Sequence, residues 1–162
     1  MGTYHSTRGR TLSCSSKEAI RKGIASDGGL FVSDDLGSTS IDIAHIADKT
    51  YFDLARDVLG VLLNDYTPEE ISACVSEAYE GTFTSDEVTP LVALKHAPGK
   101  TDGGCGDATP THVMELFGGP TSAFKDVALQ MLPRLMARTS AADDAVASAG
   151  ADERIMIVTA TS

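Results

Sequence analysis

Residues 113–136 constrain the fold most. The apolar run Val113 to Phe117 reads as a strand, and it feeds the turn Gly118-Gly119-Pro120. A helix follows with Lys125 at its head. Leu129, Leu132 and Met136 come four, seven and eleven positions later, on the same stripe. Phe124, Ala128, Met131 and Leu135 make a neighbouring stripe that is apolar too, so the helix is expected to bury a broad face. Pro133 lacks a backbone donor and is expected to break or kink it. Beyond a loose stretch, Ile155-Met156-Ile157-Val158 has the pattern of a buried strand in a parallel sheet. Strand, helix and strand in this order open an α/β sheet.

The earlier part of the chain reads as mainly helical. Residues 15–25 form a short helix capped by Ser15 or Ser16, and Asp27-Gly28-Gly29 then turns into the extended run Leu30-Phe31-Val32. Between Asp48 and Leu63, Tyr51, Phe52, Leu54, Ala55, Val58, Leu59 and Leu62 recur at helical spacing. Thr67-Pro68-Glu69-Glu70 opens a further helix with a hydroxyl cap, proline at the first helical position and glutamate at the third. Residues 88–94 are extended around Pro90. Residues 96–111 are dense in Gly, Pro, Asp and Thr and mark the best boundary. The expected organisation is therefore an N-terminal domain over 1–95, a linker over 96–111, and the start of an α/β domain over 112–162.

Charge excludes some functions. Asp plus Glu number 23 against 13 for Lys plus Arg, a formal charge of −10, which argues against nucleic-acid phosphate or anionic lipid as partner. A small anionic ligand is still compatible, since one local pocket can be positive. The cysteines, Cys14, Cys74 and Cys105, have no metal spacing and fit reduced thiols in a cytoplasmic protein. The N-terminus has no apolar run of a signal peptide, and Gly2 with Ser6 is a chance match to a myristoylation pattern. Gly99-Lys100-Thr101 has the tail of a phosphate loop, but position 94 is Leu where the pattern needs glycine. His5, His45, His96 and His112 are scattered, and no metal ligand set is expected.

Lys125 leaves two physical possibilities. Held dry on an apolar face, a lysine loses charge stabilisation, and its neutral amine is a nucleophile toward aldehydes. The positive end of the helix dipole pushes the same way. Alternatively, its stem packs while its ammonium reaches water.

The stretch Glu115-Leu116-Phe117-Gly118-Gly119-Pro120-Thr121-Ser122-Ala123-Phe124-Lys125-Asp126-Val127-Ala128-Leu129-Gln130 resembles the cofactor-lysine segment of threonine synthases, enzymes of fold type II that use pyridoxal phosphate. Tyr4 with Ser6-Thr7-Arg8-Gly9 resembles the family's N-terminal signature. Glu18-Ala19-Ile20, Gly23-Ile24-Ala25 and Asp27-Gly28-Gly29-Leu30-Phe31-Val32 resemble the segment after it. Ser85 to Val92 resembles the lead into the cofactor domain, and Val158-Thr159-Ala160-Thr161-Ser162 the start of a substrate loop. Gly118 departs from the pattern, in which histidine is common.

The resemblance implies a mainly helical N-terminal region followed by the first strand-helix-strand of a fold-type II α/β domain. It implies pyridoxal phosphate as cofactor, with Lys125 as the imine lysine and general base, and no metal. Thr161 and Ser162 would begin the loop that grips the substrate carboxylate. The implied reaction turns O-phospho-L-homoserine and water into L-threonine and phosphate, the last step of threonine biosynthesis. Phe124 and Asp126 are expected to be packing and helix-start residues, and Ser6, Thr7 and Arg8 structural. The glycine-rich loop for the cofactor phosphate lies downstream in this family, so these 162 residues alone are expected to be an inactive N-terminal fragment. Two other classes fit less of the pattern. One is another enzyme of the same fold type, such as a dehydratase or a tryptophan-synthase-like β-replacement enzyme. The other is a non-catalytic, truncated or degenerate module that binds a protein partner.

Overall fold

The structure, a computed structural model, describes residues 3–94 and 111–139. It opens with an antiparallel sheet of order β2-β1-β3, formed by β1 (Tyr4–Ser6), β2 (Gly9–Cys14) and β3 (Phe31–Ser33). Only the last of these strands is legible beforehand, and it sits one residue later than expected. In residues 4–14 polar side chains fall on both faces, so no alternation announces a strand. Helix α1 (Ser16–Lys22) lies between β2 and β3 in the chain. Its N-cap is Ser15, whose hydroxyl accepts from the Glu18 amide.

The signature Ser6-Thr7-Arg8 clamps the β1–β2 turn onto residues 27–30. Ser6 Oγ donates to Asp27 Oδ1 at 2.7 Å and accepts from the Arg8 amide at 3.1 Å. The Thr7 amide donates to the Leu30 carbonyl, and the Leu30 amide returns a bond to Thr7 Oγ1 at 3.1 Å. Arg8 Nη1 reaches the Asp27 carbonyl at 3.1 Å. Gly29 is required here, because a Cβ would stand 2.1 Å from Ser6 Oγ. Tyr4 carries the sheet to the helices by donating its hydroxyl to the Leu62 carbonyl at 2.6 Å. The expected structural role of these residues is thus visible bond by bond.

Among the described residues four helices follow the sheet: the single turn α2 (Ile43–Ile46), α3 (Tyr51–Leu62), α4 (Pro68–Tyr79) and α5 (Asp126–Ala137). Helix α4 begins as expected. Thr67 and Glu70 form a reciprocal capping box, and Pro68 holds the first position. Helix α1 is tied to its start, since Asp65 accepts from Ser16 Oγ and from the Lys17 amide, and Lys17 Nζ pairs with Glu70 Oε1 at 2.9 Å.

The core lies where α4 packs between α3 and α5. Leu63, Tyr66, Ile71, Cys74, Val75, Ala78, Tyr79, Val88, Met131 and Leu135 form one cluster, and Cys74, Val75 and Ala78 are completely enclosed. Burying a side chain the size of Val75 or Ile71 contributes about 1.5–3 kcal/mol. Tyr79 meets the rings of Tyr51, Phe52 and Phe83 edge-on. Two buried hydroxyls tie α5 down: Tyr66 donates to the Leu135 carbonyl and Tyr79 to the Val127 carbonyl, both at 3.1 Å. Val88 reaches its place in this core with a φ of 58°, a region that β-branched side chains resist.

Strands β4 (Leu91–Ala93) and β5 (His112–Met114) pair antiparallel. The strand expected over 113–117 is therefore shorter, and its partner here is β4. The buried strand expected at 155–158 and the linker over 96–111, apart from Thr111, lie outside the described residues. Helix α5 does not break at Pro133. The helix runs through it to Ala137, and the Arg138 guanidinium beyond pairs with Glu77 on α4.

Candidate active site

The β5–α5 connection presents the lysine. Thr84 donates its amide to the Gly118 carbonyl at 3.0 Å and holds the start of the loop against the helical layer. A Cβ at Gly118 would stand 2.8 Å from Thr84 Oγ1, so a histidine here requires that hydroxyl to move. The next turn is closed by the bond from the Ser122 amide to the Gly119 carbonyl, and Ser122 adopts a φ of 58°. Asp126, 1% exposed, folds its carboxylate back onto this turn. Its Oδ2 accepts from the Thr121 amide at 2.8 Å and its Oδ1 from Thr121 Oγ1 at 2.7 Å. Gly119 makes room for it, because a Cβ would lie 2.5 Å from Asp126 Cβ. The Thr121 hydroxyl bond, with help from the Thr121 amide, holds the Asp126 carboxyl below its usual range despite burial.

Lys125 is the N-cap residue of α5. Its backbone is already helical, and its carbonyl accepts from the amides of Ala128 and Leu129. The side chain is exposed and makes no capping bond. Its ammonium stands 6.0 Å from the centre of the Phe124 ring, the outer limit of a cation–π contact. The dry stripe expected around it is absent among the described residues. Leu129 and Leu132 are 49% and 43% exposed, and Phe124, expected to pack, is 65% exposed. The helix buries its other edge, through Met131 and Leu135. Lys125 thus leads an apolar face that other described residues do not cover. Leu91, Val92, Val113, Met114 and Phe117 on the adjoining β4–β5 segment are exposed as well.

A primary amine at the head of a firmly seated helix is accessible to a carbonyl compound, which it attacks only as the neutral amine. Thr161 and Ser162, the expected substrate-loop residues, lie outside the described residues. Among the described residues no group of three or more His, Cys, Asp or Glu could hold a metal, and no helix is long and apolar enough to cross a membrane. Asp126 is a buried helix-start residue as expected, but its bonds to Thr121 were not foreseen. A glycine seven residues and a threonine five residues before a helix-leading acid was the available signal.

Residues 3–79 match the family model described as threonine synthase N terminus. The threonine synthase of Schizosaccharomyces pombe is 36% identical over 136 residues, covering 82% of this chain and 24% of that protein. That of Saccharomyces cerevisiae is 34% identical over 166 residues, covering 98% of this chain and 30% of that protein. A crystal structure of PLP-bound threonine synthase from Brucella melitensis superposes with a TM-score of 0.70 at 34% identity, covering 88% of this chain and 28% of that one. The chain therefore spans 24% to 30% of the length of these relatives.

Proposed function

We infer that this chain, which is homologous to the N-terminal part of threonine synthases, supplies the cofactor lysine of such an enzyme. The observation that carries this is Lys125: an exposed amine, at the head of a helix whose first turn is pinned by Asp126, in a segment with the family's pattern. The residues present fit pyridoxal phosphate at the attachment point. Lys125 would hold its aldehyde carbon. The groups for its phosphate and ring nitrogen would come from residues downstream, as the resemblance to the family implies.

When bound, the cofactor supplies an electron sink for carbanion chemistry. The proposed activity of the whole protein is a carbon–oxygen lyase reaction, in which O-phospho-L-homoserine and water give L-threonine and phosphate. The role of Lys125 is to take the proton from Cα of the substrate and to carry protons to and from Cβ. Phe124 next to it and Leu129 and Leu132 further along its helix are exposed apolar side chains that, once covered, would help to keep water from the amine.

Turnover of phosphohomoserine by the full-length protein tests the proposal, with serine as competing substrate. Turnover of phosphohomoserine that Lys125→Ala abolishes is expected. Turnover of serine alone would point to a dehydratase instead.

A further inference from the structure

We propose that Asp126 positions Lys125: its buried carboxylate, locked onto Thr121, fixes the direction in which the lysine leaves the helix. The inference rests on the function proposed above. Among the described residues the buried polar side chains are Ser6, Ser16, Asp126 and Thr139, and Asp126 is the one carboxylate in that set. A buried carboxylate is costly unless satisfied. An acid opening a helix ordinarily stays exposed, where the dipole favours it. Asp126 instead turns back, toward the N-terminal side of Lys125, and accepts through both oxygens from Thr121, with the Ala123 backbone also favouring its charged form.

The surrounding chain is adapted to that arrangement. Gly119 vacates the space that the carboxylate fills, and Ser122 accepts a left-handed backbone so that the turn can close. A helix-start role alone requires none of this. Lys125 lies between the two bonded residues, and its own side chain has no capping bond to hold it. Its direction is therefore set by the backbone, and Asp126 and Thr121 close the backbone on either side. Misplacing a reacting group by about 1 Å can reduce turnover on the order of a hundredfold.

Four forms of the full-length protein separate this role from simple structural support: wild type, Asp126→Asn, Thr121→Val and Thr121→Ser. In Asp126→Asn either the side-chain NH2 faces the Thr121 amide or the hydroxyl must turn away. Thr121→Val, at an exposed site, removes only the hydroxyl donor, and Thr121→Ser restores it. Each form is saturated with pyridoxal phosphate, reduced with borohydride and mapped by peptide mass, and kcat and KM for phosphohomoserine are measured. We expect the adduct on Lys125 in all four. We expect kcat to fall about ten- to a hundredfold in Asp126→Asn and Thr121→Val, KM to stay within about twofold, and Thr121→Ser to match wild type. Wild-type kcat in Asp126→Asn and Thr121→Val, with the adduct on Lys125, overturns the positioning role alone. Equal impairment of Thr121→Ser and Thr121→Val does the same. A wild-type protein with no adduct on Lys125 overturns the proposed function together with it.

Discussion

Gly29→Ala tests whether the N-terminal signature is a packed clamp. The added Cβ would stand 2.1 Å from Ser6 Oγ and 3.1 Å from the Arg8 amide nitrogen. Ordinary contact begins at about 3.4 Å, so the overlap with the hydroxyl is about 1.3 Å. Ser6 is 1% exposed and already bonded to Asp27 and to the Arg8 amide, so its hydroxyl cannot swing away without losing both. Relief by backbone shift costs about 1–3 kcal/mol, and about 2–3 is expected at so short a distance. Ser6→Ala alone loses both bonds, the neutral one from the Arg8 amide, about 1 kcal/mol, and the one to the Asp27 carboxylate, about 1.5–3 kcal/mol. It also removes the oxygen that the added methyl group strikes. The double variant is therefore expected to be about 1–1.5 kcal/mol more stable than the sum of the singles. Urea unfolding followed by circular dichroism, at neutral pH, measures all three. Additivity within about 0.5 kcal/mol, or a Gly29→Ala cost below that figure, would refute the clamp.

Gly60 offers the opposite case. It lies in α3 with nothing within 4 Å of a built Cβ, so Gly60→Ala should stabilise by about 0.5–1 kcal/mol in the same unfolding assay. No gain would mean that α3 does not extend through this position. The tyrosines predict an alkaline limit. Burial raises the Tyr66 and Tyr79 hydroxyls above their ordinary value. Their contribution is therefore complete below the unfolded value of about 10 and is lost as pH rises toward the folded values. Tyr66→Phe with Tyr79→Phe should lower stability at pH 7, by losing the bonds to Leu135 and Val127, yet weaken the alkaline decline. An unchanged alkaline profile would contradict their burial.

Helical structure was legible wherever local chemistry and burial agree. The capping box of Thr67 and Glu70 is written in four consecutive residues, and the α3 stripe repeats at the helical period because one face meets the core. Strands β1 and β2 were hidden because their stability comes from the Ser6, Thr7 and Arg8 bonds to residues about twenty positions away, not from alternating burial. Nothing at Val88 advertises a positive φ, since a β-branched residue is the last expected there. At the site, the resemblance picked out Lys125, and its place at the head of a helix was foreseeable. Its exposure was one of the two possibilities that the residues alone left open. The broad buried face expected of α5 is only partly covered by the described residues: Met131 and Leu135 are buried, and Leu129 and Leu132 are exposed. Asp126 escaped because a helix-leading acid has a sufficient ordinary explanation, and only the Gly119 slot exposes its second role.

The central claim is that Lys125 carries the cofactor. The most direct measurement is to load the full-length protein with pyridoxal phosphate, reduce it with borohydride, digest it and locate the adduct by mass spectrometry. The account predicts one pyridoxyl group, on the peptide containing Lys125. A protein that takes up no cofactor, or carries the adduct on Lys17, Lys22, Lys49 or another lysine, would contradict it.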